Sequence, residues 1–192
     1  MLKKWLAGLM AVLTLLSLAA CGKKDADNGT SGATDAIDPL TLLTTVWNSY
    51  GDDEKFAVVG GDFSEENAKE GTPGTFSLAD PSLLNVNLSF PEADADKLDA
   101  AASLAHMLNV NTFTCGAFHL KDGADLNAVA ADVKENVMNR QWMCGFPDTL
   151  VVASVDRCLI SFYGAADLVE QFKQKLVAAY PGVTVLSEDP IA

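Results

Sequence analysis

Between Asn111 and Leu186 the apolar pattern switches repeatedly between period two and helical spacing, and the order of those switches restricts the fold more than any other feature. Asn111 to Leu120 alternates, with Phe113, Cys115 and Ala117 on one side, as a half-buried strand does. Lys121-Asp122-Gly123 turns the chain. Asp125 to Arg140 carries Leu126, Val129, Ala130, Val133 and Val137 at helical spacing. Thr149 to Val155 and Cys158 to Tyr163 read as strands around a tight turn at Asp156-Arg157. A helix from Ala165 to Tyr180 turns Leu168, Phe172, Leu176 and Ala179 inward, Pro181-Gly182 breaks it, and Val183 to Leu186 is a final strand. This β-α-β-β-α-β order is that of the ferredoxin-like split unit, so the expected class is α+β. Two right-handed crossovers and a hairpin would give an antiparallel sheet with both helices on one face. The first and third strands would lie side by side in its centre.

The preceding residues add to this unit. Asp38-Pro39 opens a helix over 38–50, with Asp38 as N-cap and Pro39 at the first position. Phe56 to Val59 reads as a short strand, 60–74 as an acidic, glycine-bearing loop, and Leu83 to Phe90 is ambiguous. Glu92 to Leu108 reads as a helix, with Leu98, Ala101, Ala102, Ala105 and Leu108 on one face. Helices 38–50 and 92–108 are expected to cover the other face or an edge of the sheet.

The first twenty residues have the three parts of a secretory signal: Lys3 and Lys4, an apolar run from Trp5 to Leu16, and small Ala19 and Ala20. That run falls short of the roughly 20 residues a spanning helix needs. Leu18-Ala19-Ala20-Cys21, followed by Gly22, matches a bacterial lipobox, in which the Cys21 thiol takes diacylglycerol and becomes the mature N-terminus. Two acyl chains suffice for stable anchoring where one is marginal. Residues 22–36 are small and polar, the composition of a flexible tether. The expected organisation is therefore a signal peptide (1–20), a lipidated Cys and linker (21–36), and one α+β domain (37–192).

Charge restricts the partners. Lys3 and Lys4 fall in the leader, so the mature chain carries 11 basic against 26 acidic residues, a formal charge of −15. Such a field repels nucleic acid and anionic headgroups. The acyl chains at Cys21 are then the membrane contact, and the remaining partner is a protein or small molecule.

Few residues invite chemistry. An exported chain permits disulfides, and in the expected sheet Cys115 and Cys144 lie near one end while Cys158 lies near the other. Cys115–Cys144 is thus the favoured bridge, and three unbonded thiols, two of them in the core, are the rival. Gln141-Trp142-Met143-Cys144-Gly145-Phe146-Pro147 packs two aromatics and a thiol into one connection, either a ligand clamp or a plug for the end of the core. Trp142, Phe146 and His106 are the candidate ligand contacts. A nucleophilic Cys needs a base within reach. His119 is expected away from Cys144, and His106 in the last turn of its helix, where a cap or a hydrogen bond to nearby backbone is the simpler role. Asp52, Asp53, Glu54, Asp62, Glu65, Glu66 and Glu70 have no EF-hand spacing. No cofactor, metal centre or catalytic set is expected.

The lipobox, Asn109-Val110-Asn111 leading into a strand, Lys121-Asp122-Gly123-Ala124-Asp125 before an amphipathic helix, and a hairpin leading into Gly164-Ala165-Ala166-Asp167 recur together. The ensemble resembles the Firmicutes lipoproteins grouped as domain of unknown function 4358, over roughly residues 105–178. The chain departs from that pattern in its short Gln141–Asp148 connection and in its N-terminal half. The resemblance implies a location and a fold, with no catalytic residues to carry over. The expected function is a membrane-anchored, extracytoplasmic binding or interaction module without catalysis. Two alternatives are a thiol-dependent activity at Cys144, with Cys115 as resolving partner, and calcium binding by the acidic loop.

Overall fold

The computed structural model describes residues 37–143 and 145–191. The proposed signal peptide, Cys21, the linker and Cys144 lie outside the described residues.

Helix α1 (Pro39–Asn48) starts as its sequence demands: the Asp38 carboxylate accepts from the Thr41 amide at 2.8 Å, with Pro39 in the first turn. Its buried stripe is Leu42, Leu43, Val46 and Trp47. Strands β1 (Val58–Gly60), β2 (Lys69–Glu70) and β3 (Gly74–Thr75) follow, so the acidic 60–74 segment holds short ladders rather than an unpaired loop. Helix α2 (Pro81–Leu88) resolves the ambiguous stretch. Asp80 caps it, and Ser89, at φ 53°, ends it in a left-handed conformation.

The expected helix over 92–108 is not formed. A 3-10 turn, Glu92–Lys97, leads into β4 (Leu98–His106), nine residues long and next to the middle of the sheet. Residues 101–105 are all buried, so the strand shows no polar alternation. The alanines are small because helices press on both faces, and alanine reads equally well at helical spacing.

The remaining elements arrive in the expected order: β5 (Phe113–Leu120), α3 (Leu126–Met138), β6 (Thr149–Val155), β7 (Cys158–Gly164), α4 (Ala166–Ala179) and β8 (Thr184–Pro190). Asp125 caps α3, and Asp156, at φ 50°, makes the two-residue turn between β6 and β7. The sheet runs β2-β1-β4-β5-β7-β6-β8, every pair antiparallel, with β3 also paired to β4. The class is α+β, with β5 and β7 adjacent as expected.

The last strand differs from the ferredoxin-like arrangement. That arrangement would set β8 beside β5, but β4 already occupies the place, and β8 pairs with β6 at the edge. The crossovers β5-α3-β6 and β7-α4-β8 therefore step the same way across the sheet from strands of opposite direction. A right-handed crossover then places their helices on opposite faces, not on one. Accordingly Val169, Phe172 and Leu176 of α4 join α1 in one core, with Cys115, Ala117, Ile160 and Phe162. Val129, Val133 and Val137 of α3 join α2 in the other, with Phe118, Leu150, Leu159 and Tyr163. The antiparallel sheet is buried on both sides.

Candidate functional site

At one end of the sheet β4 and β7 finish and β5 and β6 begin. Two connections meet there, 107–112 between β4 and β5, and 139–148 between α3 and β6. The first is a tight asparagine-built turn. Asn111 N–H donates to Asn109 Oδ1 at 3.0 Å, and Thr112 N–H donates to the Asn109 carbonyl at 2.9 Å. His106 Nδ1 accepts from the Leu108 and Asn109 amides at 3.2 and 3.3 Å, which requires an unprotonated Nδ1. With its backbone satisfied in this way, the turn directs Leu108 and Val110 outward.

The second connection is fastened to the first. The Asn111 side-chain amide donates to the carbonyls of Met143 at 2.8 Å and Gly145 at 3.1 Å. Arg140 donates to the Val86 carbonyl at 2.8 Å and to Ser89 Oγ, so it completes the C-terminus of α2. Its guanidinium lies 5.2 Å over the Trp142 ring, and Trp142 packs 5.2 Å from Tyr163. Trp142 is therefore a wall covered on two sides rather than an open stacking platform, and its Nε1 is buried without a partner among the described residues. Burial pushes the Tyr163 phenol up, which keeps it neutral beside Ser89.

The result is an apolar end. Leu108, Met143 and Phe146 are 83%, 78% and 72% exposed, and Met107 and Val110 are also exposed. An open groove of ≈ 450 Å³ runs between Met107, Leu108, Val110, Arg140 and Trp142. A smaller hollow beside it is lined by Asn109, Phe146 and Asp148. Isolated exposed apolar residues are ordinary, but five on two cross-tied connections make a patch. The acids Asp148 and Asp167 are exposed at its side, where the Asp148 carboxylate accepts from the Ala166 amide at 3.1 Å.

The three candidate contacts are only partly brought together. Trp142 lines the groove and Phe146 the adjoining hollow, whereas His106 stacks on Phe56 at 5.9 Å and does not line either. His106 ends a strand, not a helix, and its ring holds backbone. Leu108, Val110 and Met143 were not singled out from the sequence. Reading 92–108 as a helix hid the turn, although two asparagines alternating with apolar residues at 108–111 are its signal.

The favoured disulfide has only one described member. Cys115 lies in the core under α1 and α4 and has no disulfide partner among the described residues. Burial raises the Cys115 thiol well above its ordinary value and pushes Cys158 up to about 12, so both stay protonated. In the acidic segment the Asp62 carboxylate is engaged locally, accepting from Ser64 Oγ at 2.6 Å and Asn67 Nδ2 at 2.8 Å. Among the described residues no three histidine, cysteine or acidic side chains converge as metal ligands, and no helix is long and apolar enough to cross a membrane.

Helix α1 ends towards the apolar end: Trp47, in its last turn, packs on Phe56, and Phe56 packs on Phe113 at the start of β5 and on His106 at the end of β4. Comparison of the chain with protein-family models, with curated proteins and with solved structures finds no match.

Proposed function

We propose that the chain is a lipid-anchored, extracytoplasmic interaction module, held by acylated Cys21 and binding a partner through the apolar end formed by 107–112 and 139–148. The observation that carries this reading is the gathering of Leu108, Val110, Met143 and Phe146 at one end of a sheet otherwise buried on both faces. Such side chains gain when covered, at roughly 25 cal/mol per Å² of apolar surface. The cross-tie from Asn111 pre-orders the two connections, which lowers the entropic cost of binding. In this reading 113–190 is a split β-α-β-β-α-β unit whose last strand was displaced by β4. The membrane address and the resemblance to domain of unknown function 4358 rest on the sequence.

The test has two parts. Cys21→Ala should leave the protein uncleaved or in the soluble fraction; membrane retention of a correctly processed Cys21→Ala chain contradicts the anchor. The double variant Leu108→Ser/Phe146→Ser should keep its folding free energy within about 0.5 kcal/mol, as surface changes do. Unfolding of that variant would mean that these side chains serve the fold, and the binding reading would fall.

A further inference from the structure

The charges around the apolar end select among partners. Asp148 lines the Phe146 hollow, and Asp167 is exposed two residues after Ala165, which also lines it. Asp52 and Asp53 are exposed in the segment that follows α1, four and three residues before Phe56, which stacks on His106. Two basic side chains lie at this end among the described residues: Arg140, which lines the groove and is held by the Val86 carbonyl, Ser89 and the Trp142 ring, and Lys55, 5.8 Å from the centre of the Trp47 ring. Both keep their charge, and the four exposed aspartates outnumber them. The end is an apolar patch with an acidic margin on a chain whose mature charge is −15.

We propose that this end receives a cationic protein segment, one in which apolar side chains are flanked by lysine or arginine. The inference rests on the docking role proposed above and names the chemistry of the partner. Apolar side chains of such a segment would cover Leu108, Val110 and Phe146, and its cations would face Asp148 and Asp167. Opposite fields across an interface steer encounter and exclude like-charged competitors. The same margin disfavours an anionic bilayer as the occupant, since apolar loops that enter such membranes work with basic neighbours rather than acidic ones. A second copy of this chain would bring a second acidic margin against the first and be repelled in the same way.

The experiment uses the full mature polypeptide, residues 21–192, without acyl chains, ¹⁵N-labelled and titrated with three soluble peptides of equal length. These are built from leucine with lysine, leucine with glutamate, and leucine with serine. The leucine–lysine peptide should produce saturable amide shifts at 107–111 and at Gly145, Phe146 and Asp148. Leu108→Ser/Phe146→Ser should weaken it about tenfold or more, as loss of central apolar contacts does. Asp148→Asn/Asp167→Asn should weaken it by a smaller factor that vanishes at high salt. If the glutamate or serine peptide shifts the same amides as strongly, docking stands and the cationic partner is overturned. If no peptide moves these amides, or the shifts fall elsewhere, the docking role falls with it. Concentration-dependent shifts at 107–111 in the peptide-free protein would assign the end to a second copy and overturn the proposal.

Discussion

Cys115 and Cys158 have the residue type of a reactive site and the surroundings of core packing. Both are buried, and desolvation holds both thiols protonated, with Cys158 pushed up to about 12. Two results follow. Neither thiol should react with iodoacetamide at neutral pH until the protein unfolds; prompt alkylation of either in native protein contradicts their burial. The pH dependence has a definite sign, because an unfolded thiol ionises near about 8.5 and the folded one resists. Stability should be undiminished by Cys158 below that pH and should fall as pH rises towards about 12, read as a declining urea midpoint. A midpoint flat from pH 8 to 10.5 would contradict it. At this scale the sequence was legible wherever a side chain acts on its own backbone. Asp38 and Asp125 cap their helices, and Asp156 takes the left-handed turn. For His106 the expected bond to nearby backbone forms, to the Leu108 and Asn109 amides of the 107–112 turn, although the residue ends a strand and not a helix.

Among the elements, β4 decides most of the architecture and was the hardest to read. Alanine packs at any spacing, so 98–106 could not be assigned by period, and the strand is recognised only by what lies on either side of it. With β4 beside β5, the last strand must go to the β6 edge, and α3 and α4 must part to opposite faces. The amphipathic elements α1, α3, α4, β5 and β7 were legible because one apolar stripe or alternation names each. Of the short strands, β1 was legible near its place, at 56–59 against Val58–Gly60, and β2 and β3 were not, since two-residue ladders are made by tertiary contact. Gly60 and Gly74 show why that segment lies flat. A Cβ on Gly60 would stand 2.2 Å from the Gly74 amide nitrogen, and one on Gly74 would stand 2.5 Å from that of Gly61. Both neighbours are backbone, so Gly60→Ala must push two chain segments apart. Its expected cost is about 2–3 kcal/mol in urea unfolding, and an unchanged midpoint would contradict the crossing.

Across the whole molecule, position and charge act together. Helix α1 lies on one face of the sheet, and its last turn reaches the patch end through Trp47, Phe56 and His106. Of the nine large apolar residues exposed among the described residues, Met107, Leu108, Val110, Met143 and Phe146 lie on the two connections that form the patch. This distribution could not be read from the sequence, because Leu108 and Phe146 are nearly forty residues apart and meet only through the sheet. The account holds that acyl chains at Cys21 supply the membrane contact and that the apolar end is turned to a protein partner. The direct measurement places an environment-sensitive probe at Leu108→Cys, in a Cys144→Ser background, on the lipidated protein bound to anionic vesicles. Spin-labelled lipids should leave its fluorescence unquenched while the protein stays vesicle-bound. Strong quenching, with the probe shifted to an apolar environment, would place the patch in the bilayer and contradict the account.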